Sequence, residues 1–267
     1  MTTFNELMNL RGRTALVTGA AGHLGQVICE TLAELGAGLV LVDLFIGDLD
    51  QLADRIQKSC GVPVFVVSAD LGLATDREML FETVTSQINR MDILINNAAF
   101  VGTSALEGWA VPFESQSADN WRQVLEVNLT AVFDLSQRFA GLLSQSSGGS
   151  IINIGSIYGD LGPDWRLYEG TQLSNPAAYS ASKGGLIQLS RWLATTVAPK
   201  IRVNAISPGG IYRGQPNDFV ERYTSKTPLG RMATEDDIRG AIGYLASDLS
   251  KYVTGQNLHI DGGWGSW

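Results

Sequence analysis

The sequence predicts an α/β fold: a doubly wound parallel sheet of about seven strands with helices on both faces. Three observations point to it. Short β-branched apolar runs alternate with longer amphipathic segments along the chain. The runs are almost wholly apolar, as strands covered on both faces must be. The first run opens through a glycine-rich turn directly into a helical segment.

Taken in order, residues 14–18, 39–43, 64–68, 93–96, 150–154 and 202–206 read as strands, and 257–260 as a last short one. Residues 22–35, 48–59, 75–89, 118–143, 177–197 and 234–246 read as the helices between and after them. No linker interrupts the pattern. The Ser/Gly-rich stretch 144–149 is only long enough for a loop between a helix and a strand, and no internal repeat is visible. One domain over 1–267 is expected, with cofactor and substrate at the carboxyl ends of the strands.

Composition narrows the function. The formal net charge of −8 disfavours nucleic acid and anionic membrane surfaces as partners. No apolar run is long enough to span a bilayer, and the first ten residues carry no secretory pattern. Cys29 and Cys60 have no ligand spacing and read as packing residues of a cytoplasmic protein. His23 and His259 are the only histidines, so no metal site and no Ser-His-Asp triad is expected.

Strand one ends in Thr18-Gly19-Ala20-Ala21-Gly22-His23-Leu24-Gly25. Gly19 permits the tight turn, Gly22 lets backbone approach a pyrophosphate, and Gly25 lets helix pack closely on strand. The helix N-terminus adds free N–H groups and a partial positive charge. This is the context of a dinucleotide-binding turn in a Rossmann-type sheet. Asp43 ends the second strand, eighteen residues after Gly25. Its carboxylate suits ribose hydroxyls and repels a 2′-phosphate, and Leu44 offers no cation to hold one. NAD is therefore expected in preference to NADP.

Tyr179 and Lys183 stand four residues apart in a helical segment, which puts both on one face. A phenol titrates near ~10. A neighbouring ammonium favours the phenolate, making the pair a candidate acid/base for a hydroxyl or carbonyl substrate.

With these pieces in order, the chain resembles the short-chain dehydrogenase/reductase family over nearly all of residues 12–264. Asp70-Leu71 resembles the pair beside the adenine, and Asn96-Asn97-Ala98-Ala99 the motif after strand four. Asn128, Ser156, Tyr179 and Lys183 match the catalytic tetrad, and Pro208-Gly209-Gly210-Ile211 the loop that holds the nicotinamide. Val253-Thr254-Gly255-Gln256 and Asp261-Gly262-Gly263 resemble the C-terminal strand region. Singly, Ser156 could be a strand-end turn residue, Asn128 a helix surface residue and Lys183 a solvated one; together and in this order they read as a site. The resemblance implies that Tyr179 exchanges the proton and that Lys183 lowers its pKa and holds the ribose. It also implies that Ser156 bonds the substrate oxygen and that Asn128 orders a water beside Lys183. Cofactor contacts are expected from Gly19, Gly22, His23, Leu24, Gly25, Asp43, Asp70, Leu71, Asn97, Ala98, Tyr179, Lys183, Pro208, Gly209 and Ile211.

Two departures stand out. The glycine spacing Thr-Gly-x-x-Gly-x-x-Gly is more typical of the longer sugar-nucleotide epimerases and dehydratases of the superfamily. Ser156 and Tyr179 are 23 residues apart, wider than is usual. The extra stretch, about 160–175, leaves and re-enters at catalytic residues and so must border the site. Trp165, Arg166 and Tyr168 within it, and Arg213 after the nicotinamide loop, are the candidate substrate contacts. Trp165 suits a sugar face and Arg166 a phosphate or carboxylate.

The expected function is an NAD-dependent oxidoreductase interconverting a secondary alcohol and a ketone on a polar, carbohydrate-derived substrate. Stretches 168–183 and 208–219 resemble members associated with bacterial surface-sugar and flagellin-glycan synthesis. The alternatives are a redox-neutral sugar epimerase or dehydratase with retained NAD, and a non-catalytic NAD-binding protein. A homotetramer is expected by resemblance, a dimer next. Packing along 118–143 and 177–197 and the terminal Trp264 and Trp267 point to it.

Overall fold

The computed structural model describes residues 2–101, 104 and 106–267. Its seven strands form one parallel sheet in the order β3-β2-β1-β4-β5-β6-β7. They are β1 (Thr14–Thr18), β2 (Gly38–Asp43), β3 (Val64–Ser68), β4 (Ile93–Asn96), β5 (Gly149–Ile154), β6 (Ile201–Pro208) and β7 (Asn257–Ile260). Strand order reverses between β1 and β4, which opens a crevice beyond their carboxyl ends.

Alternation along each strand splits the core between two faces. Val17, Leu39, Leu41 and Ile95 point to one face. They meet Ile28 and Leu32 of α2 (His23–Glu34), Leu52 and Ile56 of α3 (Ile46–Cys60), and Ile238 and Ile242 of α9 (Asp236–Ala246). Leu16, Val40, Val42 and Leu94 point to the other. They meet Leu80 and Val84 of α4 (Ala74–Gln87), Leu135 and Phe139 of α6 (Ala131–Leu143), and Leu193 of α7 (Ala177–Thr196). Each such side chain, fully buried, contributes about 1.5–3 kcal/mol.

Three elements go beyond the sequence reading. A short α1 (Phe4–Met8) is closed by a capping box between Thr3 and Glu6. The segment 118–143 is not one regular helix: α5 (Ala118–Leu125) passes through a π turn, Glu126–Thr130, into α6. Beyond the nicotinamide loop the chain forms α8 (Asn217–Lys226). Among the described residues no helix is long and apolar enough to cross a membrane, and no cluster of His, Cys, Asp or Glu could hold a metal.

Candidate active site

A cleft of about 880 Å³ runs along the carboxyl ends of the strands, from Asp43 past the glycine turn to Tyr179 and Arg213. Its first half is built by backbone. Gly19 has φ 63°, and a Cβ there would lie 2.8 Å from the Cα of Ala98. A Cβ on Gly25 would lie 2.0 Å from the carbonyl oxygen of Gly19, so helix and turn can meet only at glycine. Gly22 is different: its Cβ would touch the protein only at 3.4 Å, so the fold alone does not require a glycine there.

Gly22 caps α2 with no side-chain bond, and the first helical bond runs from Gln26 N–H to Gly22 O, 2.9 Å. The N–H groups of His23, Leu24 and Gly25 thus have no partner among the described residues, and all three residues line the cleft. Unspent donors at a helix start, with the carboxylate of Asp43 at the far end, fit the pyrophosphate and ribose of a dinucleotide.

Several predicted cofactor residues turn out to brace the turn as well. Asp43 accepts the Ala21 N–H at 2.9 Å and its neighbour Leu44 N–H at 2.8 Å. The Asn97 amide donates to the carbonyls of Thr18 and Gly19, 3.0 and 2.9 Å, and the Thr18 hydroxyl accepts from the N–H groups of Asn97 and Ala98. Asp70 accepts the Gly72 N–H at 2.8 Å, and the Leu71 carbonyl accepts from buried Arg77 at 2.6 Å. Arg77 also pairs with Asp134 and Glu126, which ties the Asp70–Leu71 loop to the π turn. Against the effect of burial, hydrogen bonds from Arg77 and Arg138 hold the Asp134 carboxyl below the usual range. Nothing in the sequence marked Arg77.

At the other end, Pro208, Gly209 and Ile211 line the cleft. The Gly209 N–H donates to Ile260 O at 2.9 Å and the Gly210 N–H to the Tyr223 hydroxyl at 2.6 Å. The loop therefore hangs between β7 and α8.

The tetrad residues converge. Ser156 follows β5 and its Oγ accepts the Tyr158 N–H at 3.2 Å, leaving its O–H to donate into the cleft. Tyr179 and Lys183 share a face of α7, with Lys183 Nζ 5.8 Å from the Tyr179 ring centroid. The expected lowering of the Tyr179 pKa is not what the site shows. Burial pushes the Tyr179 phenol up, and the hydrogen bond with Ser156 and the charge of Arg213 pull it back only partly. Lys183 is itself buried, 3% exposed, and pushed down to about 8 by loss of solvent. Its Nζ donates to Ile154 O at 2.6 Å. Asn128 sits in the π turn, 1% exposed. Its amide brackets the backbone of Phe100, accepting at 2.8 Å and donating at 3.0 Å, and donates to Ser182 Oγ at 3.1 Å.

The insertion corrects two expectations. Trp165 and Arg166 do not face the cleft: Trp165 is 56% exposed, and Arg166 points outward onto Asp164. Asp164 caps the turn Trp165–Leu167 from outside and also pairs with Lys226, so the charged end of the insertion turns to the surface. Tyr168 does line the cleft, as does Arg213, which is paired with Glu235 at 2.8 Å. Trp264 is not an exposed terminal aromatic; it is buried against Tyr223 at 5.7 Å between ring centroids, whereas Trp267 stays exposed. The sequence reading missed Tyr158, Asn175, Phe219 and Tyr223, which line the substrate end. The spacing of Phe219 and Tyr223, one helical turn apart, was the available signal.

A glycine turn with unspent N–H groups, a carboxylate at the end of β2 and a half-buried Tyr179 beside the buried Lys183 in one cleft define an oxidoreductase that works with a nicotinamide dinucleotide. The family model described as enoyl-(acyl carrier protein) reductase matches residues 19–265. A 3-oxoacyl-(acyl-carrier-protein) reductase of Thermotoga maritima is 32% identical over 264 residues, 96% of this chain and 99% of that one. Among solved structures, a gluconate 5-dehydrogenase from Burkholderia cenocepacia in complex with NADP and tartrate superposes with TM-score 0.87 at 27% identity, over 99% of this chain and 100% of that one. A short chain dehydrogenase from Leptospira borgpetersenii with bound NAD+ does so with TM-score 0.84 at 34% identity, over 99% and 96%. The chain belongs to the short-chain dehydrogenase/reductase family and is an oxidoreductase acting between alcohol and ketone.

Proposed function

We propose that this enzyme uses NAD to interconvert a secondary alcohol and a ketone on a polar, carbohydrate-derived substrate. The observation that carries the substrate class is the lining of the cleft beyond Tyr179: the hydroxyls of Tyr158 and Tyr168, the amides of Asn175 and Gln215, and the guanidinium of Arg213. The likeness to a gluconate 5-dehydrogenase structure supports it. Asp43 followed by Leu44 supports NAD, because a carboxylate there repels a 2′-phosphate and no cation offsets it.

The bound nicotinamide supplies hydride transfer. The chain's residues handle the oxygen and its proton. Ser156 and Tyr179 both donate to the substrate oxygen, which stabilises charge as it develops there. Burial keeps Tyr179 protonated, ready to give its proton when a carbonyl is reduced; oxidation needs the phenolate and gains as pH rises. Lys183, fixed by Ile154, supplies positive charge beside the Tyr179 ring and would hold the ribose of a bound nicotinamide cofactor. Asn128 positions these groups by locking the loop at Phe100 to α7.

We further propose a cytoplasmic homotetramer: Phe133 on α6 and Trp192 on α7 stand exposed on the helices expected between subunits, and both cysteines are free thiols.

The test is NADH formation from NAD with polyols, sugar acids, amino sugars and sugar phosphates, each beside Tyr179→Phe. Turnover of a polar compound, reduced about 10²–10⁴-fold in the variant, is expected. Turnover confined to apolar alcohols, or a fully active variant, would refute the reading.

A further inference from the structure

Two tyrosine hydroxyls meet inside the cleft without belonging to the tetrad. Tyr158 Oη and Tyr168 Oη are 2.7 Å apart, and both residues line the cleft. Each hydroxyl carries one O–H and two lone pairs. One O–H is spent between the two rings. Neither hydroxyl has another partner among the described residues, so the pair has one O–H left to donate.

The pair is also held at a defined place. Tyr158 lies two residues after Ser156, and its N–H is anchored on the Ser156 Oγ at 3.2 Å. Tyr168 is delivered by the insertion, which α8 clamps from behind. Arg222 donates to the carbonyls of Arg166, Leu167 and Glu169 at 3.1, 3.2 and 2.7 Å. The Tyr168 ring packs on Phe219 at 5.6 Å between centroids. Burial raises both phenols, Tyr168 to about 12, so both remain neutral donors at any physiological pH.

We propose that the Tyr158–Tyr168 hydroxyl pair is a substrate-recognition element, donating a hydrogen bond to a hydroxyl or carboxylate oxygen close to the reacting carbon. This rests on the polar-substrate reading above and names the residues that enforce it. A neutral donor beside the catalytic oxygen site selects a substrate with a second oxygen near the alcohol or ketone. A bare ring alcohol cannot use it and leaves it unpaired.

The experiment compares gluconate, glycerol and other polyols with cyclohexanol as probes for wild type, Tyr158→Phe and Tyr168→Phe, under NAD saturation. Each substitution removes one oxygen and keeps the ring, so folding is preserved; circular dichroism and NAD affinity equal to wild type verify it. For the best polyol or sugar acid, KM rises about tenfold, the loss expected of one directed hydrogen bond. The KM for cyclohexanol stays within about twofold, a split that loosened packing would not give. If wild type turns over polyols or sugar acids and the Phe variants match it, or lose equally on both probes, the pair has no recognition role and only this inference fails. If wild type turns over only cyclohexanol-like alcohols, the polar-substrate reading fails and this inference with it.

Discussion

The Lys183 ammonium lies 5.8 Å from the centroid of the Tyr179 ring and donates to the main-chain carbonyl of Ile154 at 2.6 Å. The lysine is thus both the electrostatic neighbour of Tyr179 and a buried charge with one hydrogen-bond acceptor among the described residues. That position has a measurable cost. Burial lowers its pKa from 10.5 to about 8. Between these values the unfolded chain binds more protons than the folded one, so the stability contributed at this site rises with pH. Relative to Lys183→Met, wild type should gain on the order of 3 kcal/mol between pH 7 and pH 10.5. Urea unfolding of both proteins across that range measures it, and parallel stability curves would show that Lys183 is not desolvated as described.

Two glycines of the phosphate turn should separate fold from ligand. At Gly25 a Cβ meets backbone at 2.0 Å, so Gly25→Ala should cost about 1–3 kcal/mol even without cofactor. At Gly22 the nearest atom is at 3.4 Å. Gly22→Ala, losing only the N-cap preference for glycine over alanine, should lower the melting temperature of the free protein far less than Gly25→Ala while weakening NAD binding about tenfold or more. Thermal melts with and without NAD check both, and wild-type NAD affinity in Gly22→Ala would remove the pyrophosphate from that surface.

Asp43 spends one lone pair of each oxygen on the N–H groups of Ala21 and Leu44 and keeps the rest for the ribose. Asp43→Ser should raise the KM for NAD and lower that for NADP, shifting the preference by about tenfold or more. Initial rates with both cofactors decide it; an unchanged ratio would mean the carboxylate serves only the turn.

Arg222 carries the insertion through three carbonyl contacts. Arg222→Ala loses the two Nη1 N–H donors shared among these carbonyls, each worth about 1.5–3 kcal/mol before relaxation. The expected phenotype is a several-fold higher substrate KM, an unchanged KM for NAD and faster proteolysis within 160–175, with partial rescue by Arg222→Lys. Equal damage to both KM values would place Arg222 in general stability instead.

Much of this molecule was legible in its sequence because the signals are local. Strand runs such as Leu-Val-Leu-Val at 39–42 are apolar because both sheet faces are covered. The turn from Gly19 to Gly25 announces itself because only glycine satisfies the contacts at its two ends, and Tyr179 and Lys183 share a face by helical spacing alone. What was not legible depends on which way a side chain turns once distant segments meet. Trp165 and Arg166 were placed in the site by their position between catalytic residues. They turn outward because Asp164 and Lys226 of α8 draw the charged end of the insertion to the surface. Trp264 was read as exposed because no sequence rule brings Tyr223 beneath it.

The sequence by itself determined the alternation of strands and helices, the dinucleotide turn and the spacing that puts Tyr179 and Lys183 on one helix face, since each follows from periodicity or from steric demands within a few residues. Only the tertiary structure decided the ionisation of that pair and the shape of the substrate end. Desolvation of Lys183 and Tyr179 depends on everything packed around them, and the meeting of Tyr158 with Tyr168 depends on a helix some fifty residues further along the chain.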